Sequence, residues 1–153
     1  MKINIISVGK IKEQYFIDGI EEYRKRLTKY TNIELITVMD EPNELDSKIV
    51  KKKEAERILA KIPSNSYTIV LDLKGKELDS IEFAKKIDEI KNVSSTINFI
   101  IGGSLGLDES VINKADYKLC FSKFTFPHKL MKLILLEQIY RAFKINNNES
   151  YHK

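Results

Sequence analysis

The chain of 153 residues has one cysteine, two histidines and no tryptophan. A single cysteine excludes an internal disulfide framework, and Cys120 lies in an apolar run typical of a buried, inert thiol. Two histidines and one cysteine are too few for an ordinary zinc site, so we expect no metal. No apolar run is long enough to span a bilayer, and the run at the start is too short for a signal peptide. We therefore expect a cytoplasmic protein that makes no membrane contact.

Over most of the chain, positive and negative side chains are nearly equal in number, so the net charge there is close to zero. Residues 117–153 contain seven Lys and Arg against two Asp and Glu, so this segment holds the whole of the net charge of +4. A solvated helix face with long lysines would explain the excess, and so would a surface that faces phosphates. The apolar content of 42% and the chain length predict one globular domain over residues 1–153.

Strand and helix patterns alternate along this domain. Apolar runs bounded by turn residues predict strands at 3–8, 33–38, 67–73, 96–101 and 117–121, with a turn at 74–76 after the third. Helical spacing predicts helices at about 16–30, 45–62, 79–90, 108–114 and from 128 onward. Asp79 and Glu82 have the spacing of a capping box. The pattern predicts an α/β fold with a mostly parallel sheet of five to six strands and helices on both faces.

In such sheets ligands bind beyond the carboxyl ends of the strands. One of these ends carries the glycine-rich sequence GGSLGL at 102–107. Its spacing matches neither a dinucleotide fingerprint nor a Walker loop. It predicts either a turn that approaches a ligand, with an anion at the next helix start, or a tight turn with no ligand.

The segment 120–142, CFSKFTFPHKLMKLILLEQIYRA, combines a broken strand with a helix that is apolar around most of its circumference. An ordinary surface helix has a single apolar stripe. We therefore expect this helix to be buried on several sides, by its own domain, by a second copy, or by both. Because the segment is also basic, it predicts a site at a subunit interface.

Four segments together resemble one known family: LDLKGKELDS at 71–80, FIIGGSLGL at 99–107, FSKFTFPHKLMKLILLEQIYRAFKI at 121–145, and YHK at 151–153. In this order and spacing they resemble the bacterial ribosomal RNA large subunit methyltransferase H family of the SPOUT superfamily, over essentially the whole chain. The resemblance implies a C-terminal trefoil knot, whereas chain-connection rules alone predict an unknotted domain.

The family resemblance also implies an activity and a cofactor. It implies a homodimer that transfers a methyl group from S-adenosylmethionine to N3 of a pseudouridine in 23S ribosomal RNA, within assembled 70S ribosomes. The implied cofactor contacts are Leu71, Gly102, Gly103, Phe121, Ser122, Lys123, Phe124, Thr125 and Phe126. We expect Leu71, Phe121, Phe124 and Phe126 to form an apolar sleeve for the adenine, although a core role is an alternative for either of the last two.

Removal of a proton from the target base calls for a group with a near-neutral pKa, and His128 and His152 are the only such side chains. His128 begins a helix, whose dipole disfavours its protonated form, and a packing role is its alternative. By resemblance, His152 and Tyr151 reach the active site, with Tyr151 stacking on a base. Arg141, Lys129 and Lys153 are then candidates for RNA contact, although Arg141 also has the spacing of an ion pair with Glu137.

One part of the tail departs from the family pattern, which commonly places glycine and then proline or alanine before the terminal Tyr-His. Here the sequence is NNNES at 146–150. Asn148 tolerates the left-handed conformation of a glycine, but Ser150 lacks the stiffness of proline, so we expect a looser tail. Two other functions stay open: a SPOUT enzyme that acts on transfer RNA, and a non-catalytic ribosome-binding module.

Overall fold

A five-stranded parallel sheet forms the centre of the protein in a computed structural model, which describes residues 1–42 and 46–153. In chain order the elements are β1 (Lys2–Val8), α1 (Gln14–Leu27), β2 (Asn32–Val38), α2 (Ser47–Leu59), β3 (Tyr67–Glu77), α3 (Ser80–Lys91), β4 (Thr96–Ile101), α4 (Glu109–Lys114), β5 (Tyr117–Cys120) and α5 (His128–Asn146). The strand order is β2-β1-β4-β3-β5, and every pairing is parallel. The predicted α/β class is confirmed.

Helices cover both faces of the sheet because its strands are apolar on both sides. Residues of α1, α3 and α5 share one buried cluster with the strands, and residues of α2 and α4 share a second. Phe99 and Ile100 of β4 are fully buried and point into opposite clusters. Within the described residues, no helix has the length and apolar character needed to cross a membrane.

The predicted element boundaries agree with the structure at most positions. The strand at 96–101 is as predicted, and α3 begins with a complete capping box between Asp79 and Glu82. The predicted start of α2 at Leu45 lies outside the described residues. The structure begins this helix at Ser47, after Asp46 accepts a hydrogen bond from the Lys48 amide.

The predicted turn at 74–76 is wrong, because β3 continues through it to Glu77. The strand pairs with β5 first through Leu71 and then again through Lys76 and Glu77, with a register shift between the two pairings. At the shift, Gly75 presses on the β5 backbone: a Cβ atom there would lie 2.7 Å from the carbonyl carbon of Lys118. Real Cβ atoms do not approach backbone that closely, so the close approach requires glycine.

Candidate functional site

A cleft of about 900 Å³ lies at the carboxyl ends of β3, β4 and β5. Its walls are residues 71–73, 101–107, 119–122 and 124–128, together with Ile112 and Met131. Small-molecule sites in sheets of this kind occupy this position and have this order of volume. The cleft brings together every predicted cofactor contact except Lys123, which is exposed and does not line it.

The glycine turn forms one wall of the cleft and is closed by a hydrogen bond from the Gly106 amide to the Gly103 carbonyl (3.0 Å). Gly106 has a φ of +85°, and a Cβ on Gly102 would lie 3.0 Å from the Gly106 carbonyl carbon. A Cβ on Gly103 would meet Val8 and the Glu54 carboxylate, each at 3.3 Å. These glycines therefore let the backbone itself form the wall.

The start of α4, which follows the glycine turn, is already capped from within the chain. The Asp108 carboxylate accepts hydrogen bonds from the amide of Ser110 (3.0 Å) and from its hydroxyl (2.6 Å). These two bonds are the main reason why the pKa of Asp108 lies below its ordinary value. The expectation of an anion at this helix start is therefore not supported.

The opposite wall is the loop after β5. The Ser122 hydroxyl accepts a hydrogen bond from the Phe124 amide (3.1 Å), and the Cys120 thiol donates to the Ser122 carbonyl (3.1 Å). Phe121 packs against the core beside Phe83, whereas the Phe124 side chain is 78% exposed at the mouth of the cleft. In this structure Phe124 stands at the rim and not within the predicted apolar sleeve.

His128 begins α5 directly after Pro127 and lines the cleft, half-buried. Burial lowers its pKa most, and the nearby charge of Lys129 lowers it further. The imidazole is thus held neutral, as predicted, although burial and not the helix dipole is the main cause. The Lys129 ammonium forms an ion pair with Glu13 (2.7 Å), so this candidate for RNA contact already has a carboxylate partner.

A second cluster, here called the tail cluster, consists of Glu137, Arg141, Tyr151 and His152. The Arg141 guanidinium donates to Glu137 Oε1 (2.6 Å), and the Tyr151 hydroxyl donates to the same oxygen (3.0 Å). Arg141 Nη1 also lies 3.1 Å from His152 Nδ1 and the guanidinium covers the Tyr151 ring. The ion pair of Arg141 with Glu137, its alternative interpretation, is thus observed.

Tyr151 keeps its proton in this cluster. Burial raises its pKa above the ordinary value, and hydrogen bonds with Tyr23 and Glu137 raise it further. The Tyr151 hydroxyl is therefore a hydrogen-bond donor and not a base. His152 and Lys153 are exposed next to it.

The tail before Tyr151 is held more firmly than its sequence predicts. Asn148 adopts the predicted left-handed conformation, with a φ of +54°. The amides of Asn148 and Glu149 bond back to the carbonyls of Ile145 and Lys144, which is the Schellman ending of a helix. The Glu149 carboxylate then accepts hydrogen bonds from the Tyr30 hydroxyl and the Lys144 ammonium (both 2.8 Å).

The cleft and the tail cluster do not meet within one protomer. A helix rises about 1.5 Å per residue, so Arg141 lies about 20 Å along α5 from His128. The cluster fixes His152 beside Arg141, at the far end of the helix from the cleft.

Along α5, one side is buried and another is not. Leu135, Leu136, Ile139, Ala142 and Phe143 are buried in the cluster shared with α1 and α3. Leu130 and Ile134 are partly exposed and do not belong to that cluster, whereas Met131 packs against it and lines the cleft. The helix is therefore buried by its own domain on one side only, and an apolar strip faces outward.

Sequence reasoning missed Glu54, which is 5% exposed and lies behind Gly103 in the cleft wall, where a Cβ atom on that glycine would meet its carboxylate. Burial raises the pKa of Glu54, more than the hydrogen bond from the Glu41 amide lowers it. Its only signal in the sequence is a position two turns into a lysine-rich helix, which does not distinguish a buried carboxylate from a solvated one. Within the described residues, no group of three or more His, Cys, Asp or Glu side chains is placed to hold a metal ion.

Comparison with known proteins gives full-length matches. A sequence model described as "Predicted SPOUT methyltransferase" matches residues 1–152. Proteins named "Ribosomal RNA large subunit methyltransferase H" are 57% identical in Alkaliphilus oremlandii, 53% in Clostridioides difficile and 52% in Ruminiclostridium cellulolyticum, with all of both chains covered. A solved structure, a probable methylase family protein from Haemophilus influenzae, matches 99% of this chain and 70% of its own with a TM-score of 0.57. At 15% identity it supports the fold alone.

Proposed function

Because this chain belongs to the SPOUT methyltransferase family, and within it to the ribosomal RNA large subunit methyltransferase H group, we propose that it methylates large-subunit ribosomal RNA. The observation that carries the proposal is full-length identity above half to proteins of that name, in a chain with a cleft at the carboxyl ends of β3, β4 and β5. More specifically, we propose that the methyl acceptor is atom N3 of a pseudouridine in 23S RNA. The substrate is the assembled 70S ribosome, and the place of action is the cytoplasm.

The cleft suits S-adenosylmethionine as the methyl donor. The backbone at Gly102 and Gly103, which lines the cleft, and the polar groups of Ser122 and Thr125 offer hydrogen bonds. Leu71 and the half-buried Phe121 and Phe126 offer apolar walls for an adenine. When bound, S-adenosylmethionine supplies a methyl group on a positively charged sulfur, which needs no further activation. The chain must then hold the acceptor in line and remove one proton, and alignment accounts for much of the rate.

Two histidines are the candidates for the proton step. His128 is neutral at the cleft wall and can accept a proton there. His152 is oriented by Arg141, and Glu137 in turn fixes Arg141. Tyr151, which keeps its proton, donates a hydrogen bond or stacks on a base but takes no proton.

The tail acts on the partner's cleft in a homodimer. Support comes from the separation of about 20 Å between His128 and Arg141 along one rigid helix, which places the tail far from its own cleft. Antiparallel packing of two α5 helices through Leu130 and Ile134 would bring each tail cluster to the other cleft. Such a twofold contact also covers the outward apolar strip.

We further treat the whole chain as one domain with a C-terminal trefoil knot. Support for the knot is the match to a SPOUT methyltransferase model over residues 1–152. Arg141 and Lys153 contact the RNA from the tail.

The decisive assay supplies labelled S-adenosylmethionine and ribosomes from a strain that lacks the endogenous enzyme. We expect label at one pseudouridine of 23S RNA, with 70S particles better than free RNA. His152→Ala should reduce transfer by 10²-fold or more, on the order of a lost general base, and leave cofactor binding unchanged. Label in transfer RNA alone, or no binding of S-adenosylmethionine by a folded dimer, would replace this function with one of the two alternatives.

A further inference from the structure

The first half of α2 carries four lysines, and helical spacing places three of them, Lys48, Lys51 and Lys52, on neighbouring positions of one side. Lys51 lies one turn before Ala55, and Ala55 belongs to the same buried cluster as Val111 of α4. This side of α2 therefore extends over the start of α4. Because helices run back against parallel strands, the start of α2 lies at the carboxyl edge of the sheet, where the cleft opens.

Two observations join this part of α2 to the cleft wall. The Glu54 carboxylate, two residues after Lys52, lies behind Gly103, where a Cβ atom on that glycine would meet it at 3.3 Å. Ser110 accounts for most of the lowered pKa of Asp108, but the charges of Lys51 and Lys52 contribute as well. Asp108 directly follows the glycine turn, so both lysines act electrostatically on a residue next to the cleft wall.

The charge of these lysines has no evident structural use. Lys48 lies in the first turn of α2, where the helix dipole disfavours a cation, and no acidic residue lies in that turn. Among the residues that the structure describes, no carboxylate lies within 4 Å of any of the three ammonium groups. On α5, by contrast, Lys129, Arg141 and Lys144 each have a carboxylate partner. Three of the seven basic residues of the segment 117–153 are thus ion-paired, whereas none of the three α2 lysines has such a partner within the described residues.

Building on the proposed function, we propose that Lys48, Lys51 and Lys52 form a phosphate-binding surface that holds the ribosomal RNA strand beside the target nucleotide. A base that enters the cleft carries its backbone to the rim, where Leu73, Leu105 and Phe124 are apolar and exposed. These side chains cannot compensate phosphate charge. Lysines on the adjoining helix can, and they fix position without reading sequence.

The test replaces all three lysines by glutamine and measures ribosome binding and methyl transfer separately over a range of salt concentrations. We expect ribosome affinity to fall at least tenfold at moderate salt. The slope of log affinity against log salt should become shallower by about two to three, close to one for each lost phosphate contact. The affinity for S-adenosylmethionine and the turnover at saturating ribosomes should be unchanged.

A matched control carries Lys61→Gln, Lys85→Gln and Lys114→Gln, three exposed lysines with the same total charge. Lys61 and Lys114 lie at the opposite ends of α2 and α4, and Lys85 lies on the other face of the sheet. Equal loss of affinity in both triple variants would mean that only net charge matters, and would overturn the proposal. The proposal would also be overturned if the triple variant of Lys48, Lys51 and Lys52 kept the ribosome affinity and salt slope of a wild type that binds and methylates ribosomes. A wild type that binds ribosomes through α2 without methylating them would instead reject the proposed function.

A single substitution, Lys48→Glu, tests whether any loss of ribosome binding comes from impaired folding. Lys48→Glu replaces a cation by an anion at a helix start, so we expect a melting temperature no lower than that of the wild type. Ribosome binding should nevertheless weaken. A variant that folds better and binds as well as the wild type would also contradict the proposal.

Discussion

Charges of both signs surround His128. Lys129 and Lys132 face it with positive charge, and Asp40 and Glu13 with negative charge. Burial outweighs these charges, so the pKa of His128 lies below its ordinary value near 6.5 and the ring is neutral at neutral pH. Because the folded pKa lies below the unfolded one, protonation opposes folding. Stability should therefore fall as the pH drops through about 6.5 toward the folded pKa.

Lys129→Gln should raise the pKa of His128, because it removes a positive neighbour and leaves Glu13 without its ion pair. The measurement is an NMR titration of the two histidine rings, assigned with His152→Ala. Lys123→Gln is the control, since Lys123 is exposed and is not among the charges that act on His128. If the pKa of His128 is the same in Lys129→Gln as in the wild type, Lys129 does not contribute to keeping the imidazole neutral.

At the scale of elements, the C-terminal tail combines three restraints. The Schellman ending turns the chain, Glu149 ties it to Tyr30 and Lys144, and Tyr151 ties it to Glu137. Hydrogen bonds from Lys144 first and Tyr30 second lower the pKa of Glu149, so its carboxylate stays charged at neutral pH and keeps both contacts. The missing proline is thus compensated by side-chain contacts.

Asn148→Ala should loosen the tail, because alanine enters the left-handed region at a cost of about 1 kcal/mol relative to glycine. We expect hydrogen exchange of the Glu149 amide to quicken by about fivefold, and methyl transfer to fall with it. Asn148→Gly should keep both near the wild-type values.

The chain offers a matched control for this substitution. Asn65 also has a positive φ, of +57°, but lies in the loop before β3. Asn65→Ala should cost similar stability and leave transfer intact. Equal loss of activity in both alanine variants would mean that global stability, and not tail geometry, sets the rate.

At the scale of the whole molecule, if each tail acts on the partner's cleft, a protomer with a defective cleft and a protomer with a defective tail can together form one working site. Gly103→Val should deform the cleft wall by forcing a side chain against the buried Val8 and Glu54, and His152→Ala removes the tail histidine. Each homodimer should be inactive. A heterodimer of the two contains one intact cleft that faces one intact tail, so we expect about half of the wild-type activity.

Co-expression with two affinity tags isolates that heterodimer. Its S-adenosylmethionine stoichiometry should be one per dimer, which confirms that one cleft survives. A heterodimer with this stoichiometry but no transfer would show that each tail serves its own cleft.

The elements of this fold were predictable to the extent that local sequence determines them. The strands are short apolar runs, the capping box marks the start of α3, and Asn148 was recognised as a left-handed position. The extension of β3 was not predictable, because Lys74, Gly75 and Lys76 have the composition of a turn and pair with β5 only through tertiary contact. The exposure of Phe124 and the burial of Glu54 depend in the same way on neighbours distant in sequence.

The approach of Gly75 to β5 has a consequence for which mutations the protein can carry. Every missense change of a glycine codon introduces a Cβ atom, and at position 75 that atom meets backbone that has no rotamer by which to move aside. Lys74 and Lys76 on either side are exposed. In a library of all single substitutions, this part of β3 should therefore show one intolerant codon between two permissive ones.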